Sequence, residues 1–148
     1  MLARDIATTR AIEADAAQSL REAALIMYRH QVRCLVVTDS RAGRHVPVGM
    51  LTAGDLSAAT RLQGCDADTT TIASAMSQPP VLCREDNTSA ELIAIMRDSG
   101  RCRLPVVDAA GALVGIVTAD DLVAAMAESR EDLADALVFD PPPGCAGS

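Results

Sequence analysis

Two short stretches of this chain carry residues that could do chemistry. Thr52 and Asp55 stand three apart in Gly49-Met50-Leu51-Thr52-Ala53-Gly54-Asp55-Leu56, and Thr118 and Asp121 repeat that spacing in Gly115-Ile116-Val117-Thr118-Ala119-Asp120-Asp121-Leu122. An ionised carboxylate accepts both hydroxyls of a vicinal diol such as ribose, and charge-assisted bonds of this kind are the strong ones. In the first turn of a helix the carboxylate is held in its charged form by the helix dipole. A Thr at the helix start can bond a sugar or an α-phosphate, beside backbone N–H groups that suit an anion. The same Thr-x-x-Asp spacing is also an N-cap signature, worth about 1 kcal/mol per helix with no ligand at all. Capping does not demand the Gly three residues ahead of each Thr, nor the matching flanks, which favours binding. One Asp can do both jobs.

Other chemistry is thinly supplied. All thirteen basic residues are arginine, the better bidentate phosphate clamp. Arg103, at the start of an apolar run, is the candidate phosphate clamp. Arg101, and Arg41, Arg44 and His45 in a polar loop, read as solvated surface. The five cysteines (Cys34, Cys65, Cys83, Cys102, Cys145) form no Cys-x-x-Cys, and His30 and His45 are the only histidines. That spacing matches no recurring zinc pattern, so small thiols and no metal site are expected. Motifs for nucleophilic catalysis or a phosphate loop are missing, so no enzyme is expected. Tyr28 and Phe139 are the only aromatics, too few for a base-stacking platform. An adenine ring would have to sit among aliphatic side chains: Val81, Leu82 and Met50, or Ile12 and Ile116.

The net charge of −7 argues against a general nucleic-acid or anionic-membrane surface. Apolar runs are broken too often for a membrane-spanning helix. The start, Met1-Leu2-Ala3-Arg4-Asp5, has no signal-peptide pattern, so the cytoplasm is expected.

The elements that must position these residues come in two copies. Met27 and Met96 stand 69 residues apart, and that spacing also relates Glu22 to Glu91, Ile26 to Ile95, Leu35 to Leu104, Val37 to Val106 and Asp39 to Asp108. Past a longer loop in the first copy, Ser40 to Pro47, the spacing becomes 66, and eight of twelve positions from Val48 to Ala59 are then identical. Ser19-x-x-Glu22 and Thr88-x-x-Glu91 are capping boxes that open helices. Leu20, Ala23, Ala24 and Met27, and Leu92, Ile93 and Met96, give each helix one buried face. Two short β-branched runs follow, 35–38 with 48–51 and 105–107 with 113–117, close enough for antiparallel hairpins. The Thr-x-x-Asp then opens a second helix, Ala53 to Leu62 and Ala119 to Glu128. With an extended piece near Ile12 and near Val81-Leu82, each unit reads β-α-β-β-α.

A tandem β-α-β-β-α unit bearing Gly-h-h-Thr-x-x-Asp-h (h, apolar) resembles a pair of CBS domains, named after cystathionine β-synthase. Arg103-Leu104-Pro105-Val106-Val107-Asp108 and Ala75-Met76-Ser77 before Pro80-Val81 add to the resemblance, which covers nearly all of the chain. It implies an α+β fold: two repeats packed sheet to sheet as one pseudo-symmetric module. The expected division is repeat 1 over 1–62, a linker over 63–71, repeat 2 over 72–129, and a C-terminal extension over 130–148. Glu131 to Val138 would continue the last helix or form another, and the stretch from Asp140 would be a disordered tail.

The resemblance further implies a non-catalytic regulatory module that binds adenosine-containing ligands in clefts between the repeats: AMP, ADP, ATP, NAD or S-adenosylmethionine. No cofactor is required; an adenine nucleotide is the ligand. Carried over by motif, one cleft would use Thr52 and Asp55 with Ser77, Val81, Leu82 and Arg103. The other would use Thr118 and Asp121 with Thr8, Ile12, Arg33 and Cys34. The cleft that gains Arg103 is the better one for polyphosphate. A homodimer and a regulated partner protein are implied, without nucleic acid or membrane. The alternative is a ligand-free interaction or dimerisation module, in which Asp55 and Asp121 only cap.

Overall fold

The computed structural model describes residues 1–8, 11–129 and 137–142. The expectations for residues 130–136, and for the tail from Pro143, lie outside the described residues. In chain order the elements are α1 (Ala3–Ile6), β1 (Glu13–Asp15), α2 (Leu20–His30), β2 (Cys34–Arg41), β3 (Arg44–Thr52), α3 (Ala53–Ser57), α4 (Ile72–Ala75), β4 (Cys83–Arg84), α5 (Ser89–Ser99), β5 (Arg103–Val107), β6 (Leu113–Thr118) and α6 (Ala119–Glu128). They form two three-stranded sheets, β1-β2-β3 and β4-β5-β6. In each sheet the first pair is parallel and the second is an antiparallel hairpin. The fold is α+β.

Each repeat's first helix begins where its cap predicts. The Ser19 hydroxyl accepts the Glu22 N–H and the Thr88 hydroxyl accepts the Glu91 N–H, each at 3.2 Å. The reciprocal half of each expected capping box does not form. Glu22 instead accepts from the Gln18 amide at 2.9 Å and Glu91 from the Asn87 amide at 2.7 Å. A polar neighbour four residues upstream outcompetes the cap backbone. Both helices stop at a left-handed residue, Gln31 (φ 54°) and Gly100 (φ 69°). Leu20, Ala23 and Met27 of α2, and Leu92, Ile93 and Met96 of α5, are buried, as the helical periodicity requires.

Both hairpins carry an irregularity at the equivalent place, between Val37 and Thr38 and between Val106 and Val107, so duplication extends to the bulge. The long connection in the first copy is not a loop. β2 and β3 stay paired out to Arg41 and Arg44, leaving Ala42 (φ 52°) and Gly43 (φ 77°) as a tight turn. Two successive positive-φ residues match the twist of such a hairpin. The second helix of the first copy also departs from expectation: α3 ends at Ser57 and passes into a π-helical stretch over Ala58–Leu62.

The chain divides into two compact units, 11–80 and 1–10 with 81–148. In the first, Leu20, Met27, Leu35, Val37, Leu51 and Ile72 form the core. Ile72 comes from α4, beyond the stretch read as a linker. That stretch is hydrogen-bonded rather than loose: Thr70 and Ala67 carbonyls accept the Leu20 and Arg21 N–H groups at 3.0 Å, satisfying two free donors at the start of α2. An exposed pair adds to this seam, for the hydrogen bond from Arg21 holds the Asp68 carboxyl below its ordinary range.

In the other unit Leu92, Met96, Leu104, Val106, Val117, Leu122 and Met126 pack with Ala3. Residues 1–8, which the sequence places in the first repeat, fold here: Ala3 N–H donates to the Asn87 carbonyl at 2.7 Å and Arg4 N–H to that of Glu85 at 3.0 Å. Phe139 is also buried in this core, just before the stretch from Asp140 expected to be disordered, and Pro142 is buried too.

Candidate functional site

In the unit spanning 11–80, the hairpin register places Cys34 opposite Thr52. Thr52 is the last residue of β3 and the N-cap of α3. Its hydroxyl accepts the Asp55 N–H at 3.0 Å, and the Asp55 carboxylate accepts the Thr52 N–H at 3.0 Å. The Arg33 carbonyl accepts the Ala53 N–H at 2.8 Å. Ser77 lies across β3, exchanging two backbone hydrogen bonds with Met50 at 2.8 and 3.1 Å. The Ile12 carbonyl accepts the Val36 N–H at 3.1 Å. Thr52, Asp55, Ser77, Ile12 and Cys34 are half-buried and Arg33 is exposed.

The other unit repeats this plan. Arg103 stands opposite Thr118 in register, and the Cys102 carbonyl accepts the Ala119 N–H at 2.8 Å. Thr8 lies across β6, exchanging two backbone hydrogen bonds with Ile116, both 3.0 Å. Val81 packs against the core and Leu82 is half-buried. The Thr118 hydroxyl accepts the Asp121 N–H at 3.1 Å. Here the copies part. Among the described residues the half-buried Asp121 carboxylate has no hydrogen-bond or ion-pair partner, whereas Asp55's is turned back on its own cap.

Each unit thus assembles a strand end, a capped helix start and a crossing segment. Of the expected site residues, Thr52, Asp55, Ser77, Ile12, Arg33 and Cys34 belong to one unit, and Thr118, Asp121, Thr8, Val81, Leu82 and Arg103 to the other. The crossed sets expected from the resemblance each draw on both units.

The two motif glycines have a structural reason that the sequence did not disclose. A Cβ on Gly115 would lie 2.5 Å from the Thr8 carbonyl oxygen, and one on Gly49 would lie 2.8 Å from that of Ser77. Gly is required because a second backbone crosses there. The preceding Gly therefore does not separate a binding junction from a capped helix, contrary to the reading above. Cysteine chemistry differs as well: Cys102 is disulfide-bonded rather than a thiol, while Cys65 and Cys83 are free. Among the described residues no cluster of three His, Cys, Asp or Glu side chains is placed to hold a metal.

The CBS domain model matches residues 3–61 and again 72–128. The chain belongs to the CBS domain family. An uncharacterised protein of Methanopyrus kandleri, MK0525, is 31% identical over 119 residues, 80% of this chain and 59% of its own length; the chain thus spans less than two thirds of that relative. Among solved structures, the CBS domain pair of protein MJ0100 in complex with 5′-methylthioadenosine and S-adenosyl-L-methionine superposes with a TM-score of 0.70, at 27% identity, over 84% of this chain and 94% of that one. CBSX2 of Arabidopsis thaliana in complex with AMP gives 0.70 at 26% identity, over 84% and 94%. In this CBS pair no helix among the described residues is long and apolar enough to cross a membrane.

Proposed function

We propose that this CBS pair is a non-catalytic regulatory module whose ligand is an adenosine compound. Asp121 and Asp55 would receive the ribose hydroxyls, Thr118 and Thr52 would stand beside the sugar or phosphate, and Arg103 would meet an anionic group. Ser77, Thr8, Ile12, Arg33, Cys34, Val81 and Leu82 would line the two places. The observation that carries the reading is the Thr118–Asp121 junction: the hydroxyl alone makes the cap, and a half-buried carboxylate at a helix start is left to accept. The carboxylate oxygens are not sealed off from solvent, so they are open to accept from a ligand's hydroxyls. The adenosyl compounds held by two solved CBS pairs supply the ligand class. Ligand preference for one arrangement would then bias a homodimer or a regulated partner, only as far as that preference reaches. Calorimetry with AMP, ADP, ATP, NAD and S-adenosylmethionine on the wild type, Asp55→Ala and Asp121→Ala tests it. No binding of any of them at millimolar concentration rejects it.

The closed Thr52–Asp55 capping box favours a second reading for its own unit: a junction that only caps, within a module used for protein contact. A thermal-shift screen separates the two, since only the first predicts nucleotide-dependent stabilisation.

A further inference from the structure

A cavity of about 160 Å³ opens beside β4 and β5, lined by the charged residues Arg4, Arg84, Glu85, Asp86 and Asp108 and by Val107 and Ala109. Arg84 ends β4 and pairs in register with Val107, the last residue of β5. Arg103 begins that strand, about 13 Å away, so this is not the Thr118–Asp121 junction. The backbone of the cavity is duplicated in the other unit. Arg4 N–H donates to the Glu85 carbonyl at 3.0 Å, and Ala73 N–H to that of Ala16 at 3.0 Å. Glu85 N–H donates to the Val107 carbonyl at 3.2 Å, and Ala16 N–H to that of Thr38 at 3.0 Å. The side chains are not duplicated. At the 69-residue spacing Arg84, Glu85 and Asp86 stand where the first copy has Asp15, Ala16 and Ala17, and Arg4 stands where it has Ala73.

These added charges do not neutralise one another. Among the described residues the side chains of Arg4, Arg84, Glu85 and Asp86 form no ion pair and no hydrogen bond. Asp108 is engaged in its own turn, its Oδ1 accepting the Ala110 and Ala112 N–H groups at 2.9 and 3.0 Å. A lone anion would meet two guanidiniums but also Glu85 and Asp86, and a lone cation would meet the converse. Among the described residues no three carboxylates are placed to hold a metal. A ligand that carries both signs satisfies both pairs. The cavity is smaller than the about 300 Å³ at which pockets for drug-sized ligands begin, so that ligand is small. We propose that the cavity binds a free α-amino acid as its zwitterion, with the carboxylate between Arg4 and Arg84 and the ammonium on Glu85 and Asp86. A guanidinium fork matches a planar carboxylate, and an ammonium brings three donors for carboxylate acceptors. Val107 and Ala109 suit a short aliphatic side chain. The inference does not depend on the adenosine ligand proposed above.

The test is calorimetry on the full chain with L-alanine and L-valine, against propionate, ethylamine and inorganic phosphate, which each carry one sign. The amino acids are expected to bind at millimolar concentration, and the three one-sign probes at least about tenfold more weakly. Arg4→Gln, Arg84→Gln and Glu85→Gln keep the backbone contacts and should each weaken amino-acid binding about tenfold or more. Their melting temperatures should stay near that of the wild type, because Arg4 and Arg84 are exposed and Glu85 has no side-chain partner. Failure of both amino acids to bind overturns the proposal. So does unchanged affinity in the two Arg variants, or equal binding of propionate or phosphate, which would mark a plain anion site. An AMP titration of the same proteins keeps the two sites apart: AMP affinity should be equal in all of them. Absence of AMP binding would count against the adenosine reading and leave amino-acid binding to stand on its own result.

Discussion

Thr52 and Asp55 satisfy each other, hydroxyl to N–H and carboxylate to N–H, both at 3.0 Å; Thr118 and Asp121 share only the first of these bonds. The same Thr-x-x-Asp spacing therefore does different work in the two copies. In ligand-free protein, Asp55→Ala is expected to cost about 1 kcal/mol more than Asp121→Ala. Thr52→Ala and Thr118→Ala should each cost about 1 kcal/mol as lost N-caps. Urea denaturation of the four variants measures this, and equal costs for the two Asp variants would refute the asymmetry.

Gly115→Ala should destabilise by about 1–3 kcal/mol, because the new methyl meets the Thr8 carbonyl, which is backbone and cannot rotate away. Gly111→Ala meets nothing within 4 Å and bears only the strain of φ +84°, about 1 kcal/mol. The mechanism has its own readout: Gly115→Ala should speed hydrogen exchange at the Thr8 and Ile116 amides, and Gly111→Ala should not.

Cys83 gives the protein an alkaline weakness. Its folded pKa of about 12 lies above the ordinary thiol value, so the folded state holds that proton more tightly than the unfolded chain does. The stabilisation is complete below the unfolded thiol pKa and is lost as pH rises towards 12. The slope is up to about 1.4 kcal/mol per pH unit. Denaturation midpoints from pH 8 to 11 should fall more steeply for wild type than for Cys83→Ala; parallel curves would contradict the assignment.

Phe139→Ala should cost about 3–5 kcal/mol, as expected for a large aromatic deleted from a core, since Phe139 is only 8% exposed and packs with Ile93 and Met96 in one cluster. A Leu137→Ala control, at an exposed position, should change little. Thermal melts of the two variants decide it.

Much of this was legible because it repeats. Helical faces at Leu20–Met27 and Leu92–Met96, hairpins with one buried face and two Thr-x-x-Asp junctions all follow from periodicity and caps, and a second copy corrects errors in the first. What failed to show was non-local. Nothing near Ala3 or Ile72 says which core receives it, since short apolar runs fit many places. The need for Gly at 49 and 115 lies in segments that arrive from elsewhere in the chain. The turn at Ala42-Gly43 was hidden because the arginines and His45 beside it look like loop, although strand pairing tolerates them at an exposed hairpin end. Phe139 was masked by the prolines that follow it. Among the proposed site residues, the spacing could place Asp55 and Asp121 at helix starts, but not reveal which carboxylate was already engaged.

The destination of residues 1–8 bears on the order in which the protein can be built. Residues 11–80 have all their core partners once Pro80 has been made, so that unit can close during synthesis. The opening segment cannot. Leu2 pairs with Thr88 and Thr8 with Ile116, so a segment made before residues 11–80 finds its place only after them. Until β6 emerges, Ala3 and Ile6 wait without the core that receives them.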